Sequence, residues 1–203
     1  MKQGRHRTVV SLLLFLVSIL PLHGYKVLYA EQWYRLFHLH FYQYPERCAE
    51  NIYYLEQALR ADFANPLNAL ARIGNPTEWE YYRYLFSMHV SLKLVEQYLL
   101  WGSKYDKQVA YFYNAPWKEQ NLESLDKAEA LYRYALVYWE EARRWAEKAE
   151  PLSYLFLPEI QYWADERARI ANGELDYRQI IGEHLARLQS VREAFLAMDE
   201  DTY

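Results

Sequence analysis

Apolar and polar positions in the second half of the chain follow a seven-residue rhythm. From Asp126 to Glu150, DKAEALYRYALVYWEEARRWAEKAE, Ala128, Ala135, Ala142 and Ala149 recur every seven residues, and Leu131, Tyr138 and Trp145 recur in the gaps between them. Spacings of three and four therefore alternate, which draws one continuous seam along a helix. Alanine at one seam position lets a neighbouring helix approach closely, while the large side chains fill the holes around it. A second row, Tyr132, Leu136 and Trp139, lies on another face, leaving a charged strip of Glu140, Glu141, Arg143, Arg144, Glu147 and Lys148. The pattern predicts a helix with neighbours on more than one side, at the centre of packed helical hairpins.

The rest of the chain reads in the same period. Trp33, Leu36, Phe37, His40 and Phe41 predict a first helix between Tyr25 and Gln43, broken by Pro45. Pro45 fits the first position of a second helix, along which Cys48, Ile52, Leu55 and Leu59 form a row to about Ala61. Asn65-Pro66 opens a short helical segment from Leu67 to Ile73, closed by Gly74. Asn75-Pro76-Thr77-Glu78 is a strong helix start, with Asn as cap, Pro at the first position and Glu in the first turn. The long helix that follows ends or bends at Gly102, Tyr105 to Tyr113 resumes it before Ala115-Pro116, and Lys118 to Ser124 is the most loop-like piece of the body. Pro158-Glu159 starts another helix through Ile160, Trp163, Ala164, Arg167 and Ile170, stopped by Asn172-Gly173. Asp176 caps a last helix striped by Ile180, Ile181, His184, Leu185, Leu188, Val191 and Phe195, before a short acidic tail from Asp199 to Asp201. No segment alternates with the period of two that a half-buried strand needs. The expected fold is all-α, about seven helices in antiparallel hairpins.

The N-terminus differs in kind. Lys2, Arg5 and Arg7 precede Thr8 to Leu22 (TVVSLLLFLVSILPL), an uncharged run interrupted only by small polar residues and Pro21. That is the form of an export signal, with the basic flank in the cytoplasm and the remainder across the membrane. Leu22 is large for the position two residues before a cleavage point at Gly24, and Lys26 can snorkel past the run, so an uncleaved anchor is favoured over cleavage. The chain thus divides into residues 1–24, a signal sequence or membrane anchor, and residues 25–203, a helical domain expected in the periplasm and held at the inner membrane through residues 8–22.

Composition narrows the function more by exclusion than by signature. Without its three leader cations the chain has 20 bases against 27 acids, and no basic stripe offers a footprint for nucleic acid. Cys48 is the single cysteine, which excludes an intramolecular disulfide and a cysteine-based zinc site. Among six histidines, His38 and His40 point to different faces, and Arg35, Phe37, Phe86 and Ile181 stand three before His38, His40, His89 and His184, so no Glu-x-x-His pair exists. Glycines are scattered singly, nothing resembles Gly-x-Ser-x-Gly, and carboxylates such as Glu140 with Arg144 and Asp165 with Arg169 have the spacing of surface ion pairs. Neither enzymatic activity nor a metal or cofactor is expected. The 21 Tyr and 7 Trp are the unusual feature. Clusters at Trp33-Tyr34, Trp79 to Tyr84, Tyr111 to Tyr113 and Trp117 could line a sugar or amine site, but rings at helical spacing more often serve the core or protein contacts. The candidate protein-binding residues are Trp33, Tyr34, Trp79, Tyr82, Tyr132, Tyr134 and Trp139.

A 34-residue tetratricopeptide register set on Trp33 places Leu36, Ala49 and Tyr53 at matching sites, while Phe37, His40, Glu56 and Ala61 depart from it. The fold is therefore expected to be a tetratricopeptide-like helical-repeat array. The leader followed by Trp33-x-x-Leu36-Phe37, Pro45-Glu46-Arg47, Asn51-Ile52-x-Tyr54-Leu55-Glu56-x-Ala58-Leu59 and Asn65-Pro66-Leu67-x-Ala69-Leu70 resembles small membrane-anchored helical proteins of the spirochaete periplasmic flagellar collar. The resemblance covers mainly Leu28 to Arg72. It implies a scaffold between the inner membrane and the motor, with other helical-repeat or motor-collar proteins as partners. The alternative is a periplasmic sensor or carrier of a small molecule, with an aromatic-lined pocket.

Overall fold

Helices begin where a side chain takes up the free backbone N–H groups of a first turn. In the computed structural model, which describes residues 26–199, Asn75 Oδ1 accepts the Glu78 N–H at 2.9 Å, and the Glu78 carboxylate accepts Gly74 N–H at 2.6 Å. Asp176 accepts the Arg178 N–H at 2.9 Å, and Gln32 Oε1 accepts the N–H groups of Leu28 and Tyr29. The described residues form six α-helices: α1 (Ala30–Gln43), α2 (Cys48–Arg60), α3 (Pro76–Ser103), α4 (Lys118–Ala149), α5 (Gln161–Ala171) and α6 (Tyr177–Leu196). They pack antiparallel, and among the described residues there is no strand, only one bridge between Tyr29 and Asp62. The signal or anchor expected over residues 1–24 lies outside the described residues, and no described helix is long and apolar enough to cross a membrane.

Three local expectations change. Leu67 to Ile73 is not a helix; Pro66–Asn68 makes one 3-10 turn whose exposed side chains give it no face to bury. Helix α3 stops at Ser103 and is not resumed by Tyr105 to Tyr113, because Tyr105 and Asp106 N–H close back on Gly102 C=O and the chain leaves the axis. Lys118 to Ser124 forms the first two turns of α4 and not a loop. It leads into buried Leu125, and Ser124 Oγ donates to Tyr105 C=O at 2.8 Å, a tertiary bond that holds this first part of α4 against the end of α3. A fourth difference is small: Pro45 lies in the turn before α2, which starts at Cys48.

Helix α3 is buried nearly all round from Tyr81 to Tyr98, and a helix of that kind is covered on several sides. It is covered by α2, α4 and α5, with α4 making the broadest contact. Along α4 the wholly inward row is Leu125, Ala128, Tyr132, Ala135, Trp139, Ala142, Ala146 and Ala149. The alanine half of the seam thus lies in the core as the heptad implies, but Tyr132 and Trp139 share that row, while Leu131, Tyr138 and Trp145 are half-buried on its flank. One hundred degrees per residue fixes the order of the rows around α4. The alanines lie between the two aromatic rows, so Tyr138 and Trp145 turn towards Glu56 and Tyr84, and Tyr132 and Trp139 towards His184 and Tyr177 of α6.

The closest approach is at Gly102, where a Cβ would stand 2.5 Å from Tyr132 Cε1. That ring has no room to retreat, because it is wholly buried, stacked on His184 and bonded through its hydroxyl to Asp106 at 2.8 Å. Gly102→Ala should therefore lower unfolding free energy by about 1–3 kcal/mol through overpacking, despite the ~1 kcal/mol of helix propensity that alanine brings. Urea denaturation should show a smaller penalty for the same change in a Tyr132→Leu background. Equal penalties in both backgrounds would mean that the contact does not govern the packing.

Candidate binding surfaces

Much of the polar chemistry inside the bundle is internally matched. His89, wholly buried on α3, has Nε2 at 2.7 Å from the Tyr34 hydroxyl and Nδ1 at 2.5 Å from Glu166 Oε2. An ionised carboxylate only accepts, so Nδ1 carries the proton and Nε2 of the neutral ring accepts the Tyr34 O–H. Burial lowers the His89 pKa against the opposing pull of Glu166, and burial raises that of Tyr34. A tyrosine hydroxyl held in that direction is a poor acid or nucleophile near neutrality. Trp163 stacks on His89 at 5.0 Å, which closes the cluster.

Three further clusters join helices in the same way. Asn51 Nδ2 donates to Gln97 Oε1 at 3.1 Å and to Tyr44 C=O at 3.3 Å, and its Oδ1 lies 2.8 Å from His40 Nδ1, so one amide ties the α1–α2 turn to α3. Glu56 accepts the hydroxyls of Tyr138 and Tyr98 at 2.9 and 3.3 Å and pairs with Arg60 at 2.9 Å. Glu31, buried, accepts Ala64 N–H at 3.0 Å and the Tyr82 hydroxyl at 3.4 Å. The surface pairs differ from the spacing expectation: Glu140 reaches Arg143 and Arg178, Arg144 holds Glu141, and Asp165 accepts from Gln161.

Four of the seven residues expected to bind partners are in the core. Tyr34, Tyr82, Tyr132 and Trp139 are buried, since each faces a packed neighbour helix. Trp33 and Trp79 are half-buried, Trp33 against Tyr53 and Tyr54 and Trp79 stacked on Tyr82 at 5.2 Å. Tyr134 is exposed and stacks on Tyr98 at 5.5 Å.

Two sets of exposed aromatics lie at the two ends of the α3–α4 pair. At the end where α3 stops and α4 starts, Tyr111, Phe112, Tyr113 and Trp117 project from the connecting segment, Phe112 and Trp117 being 63% and 61% exposed. Tyr111 and Tyr113 stack at 5.2 Å with Phe112 edge-on to Tyr113, and Lys118 Nζ ties the segment to Leu196 and Met198 C=O at 2.9 and 2.8 Å. At the opposite end, Tyr154 and Phe156 project from the α4–α5 connection while Leu155 and Leu157 turn inward. The signal missed there was the alternation of Ser153-Tyr154-Leu155-Phe156-Leu157 between two prolines, too short to count as a strand. On the side of the bundle, Tyr34, His38, Leu39, Leu70, Ile160, Tyr162 and Trp163 line an open cleft of about 470 Å³ with Arg35 and Glu159 at its rim. Among the described residues no group of three or more His, Cys, Asp or Glu is placed to hold a metal ion.

A family model described as a domain of unknown function, DUF8513, matches residues 77–198, from the first turn of α3 to just past the end of α6. No curated protein and no solved structure matches the chain.

The histidines set a pH dependence. His89, His38 and His184 all have lowered pKa values, burial being the largest cause in each, so the folded chain binds fewer protons than the unfolded one below the ordinary value of 6.5. Stability should be full above that pH and decline as pH falls from about 6.5 towards 5, before carboxylates titrate. Urea midpoints measured across that window should fall, and His89→Gln should flatten the decline. A midpoint that holds constant down to pH 5 would contradict the neutral, buried histidines.

Proposed function

The chain belongs to the DUF8513 family, whose function is unknown, and we propose that it is a non-enzymatic scaffold, tethered to the inner membrane by residues 8–22 and binding other proteins in the periplasm. The observation that carries this is the exposed aromatic segment Tyr111–Trp117. Exposed Tyr, Phe and Trp side chains that are already stacked and pinned lose little freedom on binding, which is what a protein-contact hot spot requires. Its position favours a protein partner. Lys104 Nζ contacts Glu46 C=O in the α1–α2 turn, whereas the chain enters α1 beside Asp62, at the other end of α3. The 28 residues of α3 span about 42 Å at 1.5 Å each, so the segment stands well away from the point where the chain enters α1.

We also read the body as a tetratricopeptide-like array, because each of α1 to α4 packs on the next in chain order. Helices α3 and α4, at 28 and 32 residues, are longer than those of a 34-residue two-helix unit. The setting proposed is the collar of a spirochaete flagellar motor, on the strength of the resemblance over Leu28 to Arg72, a stretch outside the family match at 77–198. The open cleft beside Trp163 favours a second reading, a small-molecule sensor or carrier. Tryptophan fluorescence that stays unchanged with a panel of sugars, amines and lipids would remove it.

Crosslinking and pull-down of the tagged full chain from native membranes should recover a stoichiometric protein partner. Phe112→Ala with Trp117→Ala should reduce that recovery at least about tenfold, the effect of losing roughly 1.4 kcal/mol, while leaving the thermal midpoint near its original value. The tagged chain should gather in polar motor clusters in its native cell. Recovery of no partner, or undiminished recovery with the double variant, would count against the scaffold or its proposed contact site respectively.

A further inference from the structure

The end of the bundle at which the chain enters carries its own set of unpartnered apolar side chains. Tyr29 bridges to Asp62, and Ala30 N–H donates to Asp62 C=O at 2.9 Å, which puts the start of α1 beside the end of α2. Phe63 packs edge-on against Trp79 at 5.9 Å, which adds the start of α3. Tyr84 stacks on Trp145 at 5.8 Å, which aligns the last turns of α4 with the first turns of α3. The α4–α5 connection begins at Glu150, held by Arg167, and ends at Glu159, 3.5 Å from Arg72 just before α3. All of these termini lie at one end.

Leu28, Leu67, Tyr154 and Phe156 project from this end, being 48%, 94%, 74% and 68% exposed. Leu67 is the middle residue of an exposed 3-10 turn, and Tyr154 and Phe156 are the outward members of a segment whose Leu155 and Leu157 are packed inward. Polar groups lie beside them: Asp62, Asn65 and Arg83 help to line a hollow of about 830 Å³ that Tyr29 and Pro66 border. Lys26 stands at the edge, only four residues after the apolar run Thr8–Leu22 ends. Four residues reach at most about 14 Å, so a bilayer holding that run lies within contact distance of this end.

We propose that this end of the bundle rests on the lipid surface, with Leu28, Leu67, Tyr154 and Phe156 seated at the headgroup boundary. Aromatic and aliphatic side chains beside polar groups suit that boundary, where one part of a side chain is apolar and the other wet. The charges are mixed, with Lys26, Arg72 and Arg83 against Asp62 and Glu159. Lipid contact is therefore apolar in origin and insensitive to salt. The bundle then stands on the membrane with α3 and α4 as its height, and the Tyr111–Trp117 segment is held away from the lipid. This inference depends on residues 8–22 being the tether proposed above.

The test uses the full chain in phosphatidylcholine vesicles with and without bromine on the lipid acyl chains. Phe156→Trp and Leu67→Trp add reporters at the lipid-facing end, and Tyr113→Trp adds one at the far end. The fluorescence added at positions 156 and 67 should be lost in brominated vesicles and should stay lost in high salt, and that added at 113 should survive. If the chain does not float with vesicles, the tether is wrong and the lipid contact fails with it. If the chain floats and the reporters at 156 and 67 are unquenched, the tether stands and the lipid contact is overturned, whether they face water or are shielded from aqueous iodide by a second copy. Quenching at 113 equal to that at 156 would mean that the bundle lies flat, which also overturns the proposal.

Discussion

The close approach of α4 to α3 is the contact on which the rest of the bundle depends. Ala128, Ala135, Ala142 and Ala149 are wholly buried, and Gly102 meets the Tyr132 ring with no space for even one more methyl group. Small residues bring two helix axes together, and the large side chains flanking the line of contact then have to point elsewhere. On α4 they point both ways. Tyr138 and Trp145 reach Glu56 and Tyr84, and Tyr132 and Trp139 reach α6, so one row of alanines decides where both of the other helical layers attach. Helix α3 depends on the same contact from the other side, because most of its circumference is buried and α4 covers the broadest part of it.

The tyrosine excess finds its explanation in this crowding. A tyrosine carries a ring into the core and delivers a hydroxyl to a carboxylate at its margin, as Tyr98 and Tyr138 do to Glu56, Tyr82 to Glu31, Tyr84 to Glu80 and Tyr132 to Asp106. Each bond brings a donor to a carboxylate oxygen that would otherwise be costly to cover, Glu56 Oε1 taking two, and each holds the tyrosine protonated. Burial pushes Tyr177 up to about 12, with Glu96 and Glu166 adding to the effect. Such pairs also have direction, unlike packed rings alone. Asn51, bonded to the α1–α2 turn and to Gln97, fixes register at one end of α3, and Glu31, holding Ala64 N–H and the Tyr82 hydroxyl, fixes it at the other.

Periodicity made the helices legible but not their surroundings. The alanine heptad, the Asn75 and Asp176 caps and the Gly173 stop, where φ is +75°, are local features, and a local feature can be read from neighbouring residues. Which of two aromatic rows on α4 is inward depends on where α6 lies, and nothing within α4 encodes that. Tyr132 and Trp139 therefore looked as available as Tyr134, although only Tyr134 is exposed. Lys118 to Ser124 illustrates the converse. Its polar composition reads as a loop, yet the tertiary bonds of Ser124 to Tyr105 C=O and of Lys118 to the end of α6 hold it helical. The exposed groups of greatest interest, Tyr111 to Trp117 and Tyr154 with Phe156, lie in the connections between α-helices, a short 3-10 helix and a turn, where no period separates inside from outside over more than a few residues.

Rigidity is what turns these exposed groups into a possible device. Two exposed aromatic sets joined by a flexible linker would vary in separation, and linking them would give each little influence over the position of the other. Here they are joined by two antiparallel helices of 28 and 32 residues, packed along their length, and α3 is tied near both ends to the first hairpin by the Asn51–Gln97 and Tyr82–Glu31 hydrogen bonds. A change in spacing would require α3 to slide along α4. One turn of sliding would move Gly102 away from Tyr132 and put a side chain against that ring, so the packing that stabilises the pair also sets its length. A fixed separation of about 42 Å between the two ends is a property that a carrier of small molecules has no need of. A scaffold does need it, because the position of whatever binds at one end is then determined by whatever holds the other.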